Sequence, residues 1–262
     1  MSTPMSDWFS VRDRSILVTG GGGGLGRMIS AAFLGAGARV TITGRKAAAL
    51  DSAAEALAPL GPIETLCGDL REPVAAAELA RAYRATGRPL DVLINNAGRT
   101  WGEPLATFPH SAWTDVMGVN VTAPFVLVQE LLPLLTAGAS ASRPACVINI
   151  GSVYAHLTDV MHSYSYAASK AAIHQLTRVL ARELAPRHVL VNAIAPGLFH
   201  TRMTDFVFSN EAPRARALAG IPLGRAGAAE DIGGLTVFLA SRAGAYLTGT
   251  VLTLDGGMSL SQ

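Results

Sequence analysis

The chain has 262 residues, of which 50% are hydrophobic and 15% charged, and its formal net charge is +2. This composition excludes a disordered chain, and a small net charge without a basic run argues against nucleic-acid binding. The stretch MSTPMSDWFSVRDR lacks the basic start and apolar core of a signal peptide, and the run APFVLVQELLPLL is too short and interrupted to span a bilayer. We therefore expect a cytoplasmic protein that binds neither nucleic acid nor membrane.

Short β-branched runs alternate with Ala- and Leu-rich helical stretches along almost the whole chain. The predicted strands, in chain order, are residues 15–19, 39–43, 63–67, 92–95, 146–150, 190–194 and 251–254. They are apolar on both faces, as parallel strands covered by helices would be. The alternation predicts an α/β fold: a Rossmann-type, doubly wound parallel sheet of about seven strands flanked by helices, with residues 1–262 forming a single domain.

A glycine-rich turn, TGGGGGLGRMI, follows the first predicted strand at residues 19–29. Gly20, Gly24 and Gly26 fit the spacing Thr-Gly-x-x-x-Gly-x-Gly. Glycine lets the backbone turn tightly and approach a pyrophosphate, and the following helix presents its N-terminal amides to that anion. A plain flexible turn is the alternative, but the position between a strand and a helix favours dinucleotide binding.

The end of the second predicted strand, TITGRK, indicates which dinucleotide binds. An NAD site places a carboxylate here for the ribose 2′-hydroxyl, whereas this chain has Gly44 followed by Arg45 and Lys46. Arginine can form a two-pronged contact with a phosphate. These residues favour NADP(H), the alternative being a solvated basic pair at a strand end.

The segment HSYSYAASKAAIHQL (162–176) contains two tyrosines and one of the only two lysines of the chain. In a helix, Tyr166 and Lys170 lie on one face because they are four residues apart, whereas Tyr164 points elsewhere. An ammonium beside a phenol favours the phenolate, so we expect Lys170 to lower the pKa of Tyr166. A surface Tyr–Lys neighbour pair is the alternative.

Residues 198–229 break the alternation and read as a loop inserted before the last predicted helix. In such a fold ligands bind beyond the carboxyl ends of the strands, so this loop is a predicted substrate lid. We assign its apolar character to four side chains: Phe199, Met203, Phe206 and Phe208.

Two cysteines, Cys67 and Cys146, lie in apolar strand-like runs. Their spacing suits no metal site, and we predict buried free thiols in a reducing compartment.

Eight short motifs together resemble the classical short-chain dehydrogenase/reductase family over essentially the whole chain. They are TGGGGGLG, GDL (68–70), NNAG (95–98), VN (119–120), IGSV (150–153), YAASK (166–170), NAIAPG (192–197) and DGG (255–257). The resemblance implies an oxidoreductase that uses NADP(H) and transfers hydride between the cofactor and a ketone or alcohol.

The resemblance also implies a role for each of four catalytic residues. Tyr166 would be the proton donor in ketone reduction, and Lys170 would lower its pKa and bind the nicotinamide ribose. Ser152 would hydrogen-bond the substrate carbonyl, and Asn120 would hold a water linking Lys170 to solvent. Ser152 could instead be a turn residue and Asn120 a buried polar residue. His156 and His162 are read as substrate-contacting or exposed, not catalytic.

A larger set of cofactor-binding residues follows from the same resemblance. Asp69 would contact the adenine amine, residues 96–98 the adenine-ribose side, Pro196 and Gly197 the nicotinamide, and Thr201 its carboxamide. The full set is Gly20, Gly24, Leu25, Gly26, Arg45, Lys46, Asp69, Leu70, Asn96, Ala97, Gly98, Tyr166, Lys170, Pro196, Gly197 and Thr201.

Subgroup motifs such as NNAGRTWG, YSYAASKAAIHQL and IAPGLFHTRMT are most similar to NADPH-dependent 3-oxoacyl reductases of rhamnolipid synthesis. We therefore expect a reductase of 3-oxoacyl or other apolar ketones. A sugar-acid or polyol dehydrogenase of the same family is the alternative, and a non-catalytic NADP(H)-binding regulator is an alternative of another class. The resemblance also implies that the predicted helix with small residues around Ala171 and Ala172 packs against its counterpart in another subunit, so we expect a homotetramer, or at least a dimer.

Overall fold

Seven parallel strands form a single sheet in the computed structural model, which describes residues 5–158 and 161–260 except for the side chain of Ser6. The described part leaves out residues 1–4 of the N-terminal stretch. It also leaves out residues 159–160 and 261–262 of the predicted domain. The strands are β1 Ser15–Thr19, β2 Arg39–Gly44, β3 Ile63–Cys67, β4 Val92–Asn95, β5 Ala145–Ile150, β6 Val189–Pro196 and β7 Val251–Leu254.

The sheet order is β3-β2-β1-β4-β5-β6-β7, and every neighbouring pair is parallel. The predicted doubly wound sheet of about seven strands is confirmed, with each strand at its predicted place. The chain leaves β3 at one edge and re-enters beside β1, so the winding direction reverses between β1 and β4. In folds of this kind the crevice at that reversal is where ligands bind.

Ten α-helices connect and cover the described strands. They are α1 Met5–Trp8, α2 Gly24–Gly35, α3 Ala47–Leu57, α4 Pro73–Ala85, α5 His110–Met117, α6 Ala123–Ala137, α7 Tyr164–Leu184, α8 Asp205–Phe208, α9 Glu211–Ala219 and α10 Ala229–Ala240.

The core has two layers, one on each face of the sheet. Successive residues of β1 enter opposite layers: Ile16 and Val18 pack with residues of α2, α3 and α10, while Leu17 packs with residues of α4, α6 and α7. This alternation is the two-residue period of a strand, and burial on both faces explains why the predicted strands are apolar throughout.

The helices α5 and α6 are joined by a π-helical turn, Gly118–Thr122, so that His110–Ala137 runs as one helix. By length and composition alone this 28-residue helix could cross a membrane, since its most apolar window has a mean hydropathy of 1.4. However, 44% of that window is buried in the fold, and Leu127 and Leu131 are fully buried in one core layer. Packing within the domain therefore accounts for part of its apolar composition.

Two predictions about burial need correction. Cys146 is buried as expected, but Cys67 is exposed, because it is the last residue of the edge strand β3. Phe199, predicted to face substrate from the lid, is only 3% exposed and belongs to the core, where its ring occupies the space beside Gly227.

Candidate active site

The glycine turn lies at the carboxyl end of β1, beside the reversal of the sheet. Gly20 and Gly24 adopt positive φ angles of 67° and 52°, which favour glycine. A Cβ at Gly26 would collide with the Gly20 carbonyl oxygen and the Asn96 amide nitrogen, whereas a Cβ at Gly23 would have nothing within 4 Å. Two of the five consecutive glycines, Gly21 and Gly20, are likewise crowded by neighbours.

Thr19 and Asn96 hold the turn against the end of β4. The Thr19 hydroxyl accepts hydrogen bonds from the backbone amides of Asn96 (3.0 Å) and Ala97 (2.9 Å). The Asn96 side-chain amide donates to the Thr19 carbonyl at 2.8 Å. Asn96 was predicted to line the adenosine site, but its side chain supports the glycine turn, and Ala97 and Gly98 line the adjacent cleft.

A cleft of about 390 Å³ lies along the carboxyl ends of β1, β2, β3 and β4, within the size range of ligand pockets. Its lining residues are Gly20, Thr43, Gly44, Arg45, Gly68, Asp69, Leu70, Arg71, Ala97, Gly98, Arg99 and Val119. Six of them belong to the predicted cofactor set. The cleft, the glycines that admit no side chain and the start of α2 together fit a dinucleotide, so the residues present are compatible with the implied cofactor.

Three arginines line the cleft, and two of them are paired with carboxylates. Arg71 forms an ion pair with Asp69 (2.8 Å), and Arg99 forms one with Asp115 (2.9 Å). Arg45 has no ion-pair partner among the described residues, so it is the cation available to an anionic group. Lys46 is exposed, immediately precedes α3 without a side-chain capping hydrogen bond, and is not among the cleft residues.

Four of the remaining predicted cofactor residues lie close to the glycine turn or at the end of β6. Leu25 is in the first turn of α2 and is partly buried. Thr201 approaches Gly24 so closely that a Cβ on that glycine would lie 3.4 Å from the Thr201 Cβ. Pro196 ends β6, and Gly197 packs against Asp255 with no room for a side chain. The base of the predicted lid therefore contacts the glycine turn.

Ser152 and Tyr166 approach each other at the carboxyl end of β5. The Ser152 hydroxyl accepts a hydrogen bond from the Tyr154 amide (3.2 Å), which shapes the short turn after the strand. Ser152 is thus a turn residue, and it also hydrogen-bonds the Tyr166 side chain. The Tyr154 ring stands edge-on to the Tyr166 ring, with centroids 6.2 Å apart.

Lys170 lies one helical turn beyond Tyr166 on α7, as predicted. Its ammonium nitrogen is 5.4 Å from the centre of the Tyr166 ring and donates a 2.7 Å hydrogen bond to the Ile150 carbonyl. The side chain is buried, and burial lowers the pKa of Lys170 to about 8. Lys170 is therefore a buried residue joined to β5 and not a surface neighbour of Tyr166.

The expected effect of Lys170 on Tyr166 is wrong for the protein chain by itself. The pKa of Tyr166 is raised, because burial of the phenol outweighs the hydrogen bond from Ser152, and the adjacent Tyr154 raises it further. The reason is geometric: the Lys170 ammonium is directed at the Ile150 carbonyl. Additional positive charge or further hydrogen bonds to the phenolate would lower this pKa.

Asn120 lies in the π-helical turn and is buried. Its side-chain oxygen accepts from the Arg99 amide (2.8 Å), and its nitrogen donates to the Arg99 carbonyl (2.9 Å) and to the Ser169 hydroxyl (2.9 Å). Ser169 in turn donates to the Tyr166 carbonyl at 2.7 Å. Asn120 thus connects the segment after β4 to the helix that carries Tyr166 and Lys170.

Some site residues escaped sequence reasoning. Arg71, Arg99 and Ser169 carry no sequence signal for a site. Thr19 stands in the glycine motif, but its role depends on Asn96 and Ala97, which are distant in the chain. Ser169 lies within the motif YAASK, which by itself assigns it no role. His156 and His162 are exposed, and the His162 ring contacts the Tyr164 hydroxyl at 3.2 Å. Among the described residues, no cluster of three or more His, Cys, Asp or Glu could hold a metal ion.

Comparison with known proteins gives matches over nearly the full length. Residues 21–259 match a family model described as "Enoyl-(Acyl carrier protein) reductase". The chain is 45% identical over 256 residues to the rhamnolipids biosynthesis 3-oxoacyl-[acyl-carrier-protein] reductase of Pseudomonas aeruginosa, covering 98% of this chain and 100% of that protein. It is 36% identical to the 2-dehydro-3-deoxy-D-gluconate 5-dehydrogenase of Bacillus subtilis, covering 97% of each.

The same relationship appears in three dimensions. The solved Pseudomonas aeruginosa RhlG/NADP active-site complex superimposes with a TM-score of 0.94 at 45% identity, covering 97% of this chain and 100% of that one. Together with the sheet order, the glycine turn and the Ser152, Tyr166 and Lys170 arrangement, these matches show that the chain belongs to the short-chain dehydrogenase/reductase family of oxidoreductases.

Proposed function

We propose that this protein is an NADPH-dependent carbonyl reductase that reduces 3-oxoacyl or other apolar ketones. The observation that carries the proposal is the convergence of Ser152, Tyr166 and Lys170 at the end of β5, beside a cleft whose Arg45 has no carboxylate partner among the described residues. The 45% identity to a 3-oxoacyl reductase over the whole chain supports the same activity.

Each catalytic side chain has a role that its environment supports. When bound, the reduced cofactor supplies the hydride to the carbonyl carbon. Ser152 donates a hydrogen bond to the carbonyl oxygen, where negative charge develops. Tyr166 donates the proton, and its raised pKa keeps the phenol protonated at neutral pH, as an acid requires. Lys170, with a pKa of about 8, is mostly a cation at neutral pH and would bind the nicotinamide ribose.

Asn120 would complete the catalytic set as a positioning residue. All three of the hydrogen bonds described for its side chain go to Arg99 and Ser169, so it holds the protein framework around Lys170. The proposed water link between Lys170 and solvent would pass this turn of helix. Gly98 lies between the two side chains, since a Cβ there would be 3.7 Å from the Asn120 oxygen and 3.8 Å from the Lys170 nitrogen.

The preference for NADP(H) rests on Arg45. It is exposed, lines the cleft at the end of β2 and has no carboxylate partner among the described residues. An exposed guanidinium without a carboxylate partner can form a two-pronged contact with a ribose 2′-phosphate. The structure of the 45% identical relative in complex with NADP supports this choice. Asp69 would contact the adenine while keeping its ion pair with Arg71.

Aromatic and apolar side chains lie next to Tyr166 and on the proposed lid. The Tyr154 ring stands edge-on to the Tyr166 ring, with centroids 6.2 Å apart. On the proposed lid, residues 198–229, Phe206 is 60% exposed and Met203 45%. These surfaces favour an apolar substrate. Phe199 does not contribute to this apolar surface, because it is part of the core.

A sugar-acid dehydrogenase of the same family is the second candidate. The 36% identity to a gluconate-type 5-dehydrogenase over 97% of each chain favours it, and the exposed aromatic and methionine side chains argue against it. A non-catalytic NADP(H)-binding regulator is less well supported, since the complete set of Asn120, Ser152, Tyr166 and Lys170 is present.

We also propose a cytoplasmic homotetramer or dimer. The outer face of α7 carries the exposed residues Ala171 and Val179, and Phe125 on α6 is 42% exposed. Small and apolar side chains on neighbouring helices permit close packing against a second copy of the chain.

The test is ketone-dependent oxidation of NADPH by the purified protein, followed at the nicotinamide absorbance band, against panels of 3-oxoacyl thioesters, free ketones and keto-sugar acids. Tyr166→Phe should lose nearly all turnover while keeping its melting temperature and NADPH affinity. Tyr164→Phe, two residues earlier on the same helix, should remain active. Wild-type turnover in Tyr166→Phe would refute the assignment of the proton donor. NADPH binding without turnover on every compound would favour the regulator.

A further inference from the structure

His174 is a buried histidine on α7 that the proposed chemistry does not use. It follows Lys170 by four residues, as Lys170 follows Tyr166, so all three lie on one face of the helix. His174 is 6% exposed, and its Nε2 atom has no hydrogen-bond partner among the described residues. A buried polar atom without a partner is costly and calls for an explanation.

The imidazole fills the space beside Gly151. A Cβ on Gly151 would collide with the His174 Nε2 atom and lie 2.6 Å from its Cδ2 atom. The Gly151 amide donates a 2.7 Å hydrogen bond to the Ile194 carbonyl, which fixes the other side of this residue. The strand end can therefore approach α7 this closely only because residue 151 has no side chain, and the large ring of residue 174 fills the space between them.

Gly151 lies between the strand residue that contacts Lys170 and the serine that contacts Tyr166. The preceding residue, Ile150, accepts the hydrogen bond from Lys170, and the following residue, Ser152, hydrogen-bonds Tyr166. Consequently any shift of Gly151 relative to α7 moves Ser152 against Tyr166 and also alters the contact of Lys170. A displacement of about 1 Å at a reacting group can cost on the order of 100-fold in rate.

The charge state of His174 is consistent with a packing role. Burial lowers the pKa of its imidazole to about 4, and the positive charges that face it, on Lys170 and Arg178 of α7 and on His156 when protonated, act in the same direction. The imidazole is therefore neutral at physiological pH and adds no second buried charge beside Lys170.

We propose that His174 is a positioning residue whose ring, packed against Gly151, sets the distance between the end of β5 and the catalytic face of α7. The two residues are complementary in size, because the large His174 ring fills the space left by the absent side chain of Gly151. The inference rests on the proposed reductase function, because it assigns His174 to the geometry of that reaction.

A double-mutant cycle tests the pairing. Gly151→Ala should lower kcat for ketone reduction by about tenfold or more, because the added methyl group pushes the strand end away from α7. His174→Ala should also lower kcat. In the combined variant the smaller residue 174 accommodates the larger residue 151, so kcat should exceed that of Gly151→Ala. A combined variant no faster than Gly151→Ala would overturn the proposal.

Two further variants separate positioning from general stability. Leu180→Ala removes a buried side chain from the same helix away from Gly151, and should lower the melting temperature while leaving kcat within about twofold of wild type. His174→Gln keeps a neutral polar side chain of moderate size, and should retain several times the kcat of His174→Ala. Equal kcat for His174→Gln and His174→Ala in folded protein, or wild-type kcat in His174→Ala, would overturn the proposal.

The cycle remains informative if the wild type reduces no ketone. That result would refute the proposed function but not the packing relationship. NADPH affinity, measured by fluorescence on the same four proteins, then serves as the readout, because Lys170 contacts the strand end next to Gly151. Strictly additive effects of the two substitutions on NADPH affinity and on melting temperature would overturn the pairing itself.

Discussion

The Lys170 ammonium donates a 2.7 Å hydrogen bond to the Ile150 carbonyl, and both residues are buried. This contact joins α7 to the end of β5 two residues before Ser152. Burial lowers the pKa of Lys170 from 10.5 to about 8, so a cation is held at this position at a cost in stability. The pKa shift corresponds to roughly 3 kcal/mol. The folded protein thus retains a destabilising charge that its proposed chemistry needs.

Replacing Lys170 by methionine should therefore stabilise the cofactor-free protein and abolish turnover. Methionine fills a similar volume without a buried charge, and the lost hydrogen bond offsets only part of the gain. We expect the melting temperature at pH 7 to rise by a few degrees, on the scale of about 2–4 °C per kcal/mol for a domain of this size. Differential scanning calorimetry and the ketone-reduction assay measure the two effects.

The pH dependence of this stabilisation has a defined sign. The pKa of Lys170 is lower in the folded than in the unfolded state, so the unfolded state binds more protons between pH 8 and 10.5. The loss of folding stability caused by the buried Lys170 charge is complete below pH 8 and becomes smaller as the pH rises through this window. The rise in melting temperature caused by Lys170→Met should therefore become smaller as the pH increases from 8 to 10.5. Lys46→Met, which changes the chain's other lysine at an exposed position, is the control and should leave the melting temperature at pH 7 unchanged.

Ketone reduction should decline above about pH 8. Lys170 is a cation below this pH and becomes neutral above it, which weakens its proposed contact with the nicotinamide ribose. Tyr166 remains protonated through this range, because burial raises its pKa above the ordinary value of 10, and His174 titrates near pH 4. Initial rates of NADPH oxidation from pH 6 to 10 provide the test. A flat profile up to pH 10 would contradict the role of Lys170.

Arg45→Ala should weaken NADPH binding by about tenfold or more and leave NADH binding within about twofold. A hydrogen bond to a charged group contributes about 1.5–3 kcal/mol, and 1.4 kcal/mol is a factor of ten in affinity. Arg39→Ala at the opposite end of β2 is the matched control and should leave both affinities unchanged. Equal losses for the two cofactors in Arg45→Ala would assign the arginine to general packing instead of phosphate recognition.

Gly26→Ala should severely reduce dinucleotide binding, whereas Gly23→Ala should have little effect. The methyl group at residue 26 would collide with the Gly20 carbonyl and the Asn96 side chain, which together hold the turn. The methyl group at residue 23 would enter open space, and the extended backbone there suits alanine. NADPH titration and thermal unfolding distinguish the variants. Similar affinities in both would show that the turn does not contact the cofactor.

Much of the site was predictable because its signals are local. The glycine spacing requires only neighbouring residues, and the four-residue interval between Tyr166 and Lys170 places both on one helical face in any helix. The pKa of Tyr166 was not predictable in this way. It depends on how deeply the phenol is buried and on which acceptor Lys170 meets, and that acceptor, Ile150, is twenty residues away on another element.

The sequence by itself determined the parallel sheet, the nucleotide-binding turn and the candidate catalytic residues, because hydrophobic periodicity and residue spacing act over short stretches of chain. Tertiary structure alone decided that Phe199 is core and not lid, that Cys67 at a sheet edge is exposed, that Arg45 and not Lys46 lines the cleft, and that His174 packs against Gly151. These outcomes depend on which surfaces meet when segments distant in the chain pack together. Because protein interiors are closely packed, each contact depends on the shapes of both partners, and neither local sequence contains both.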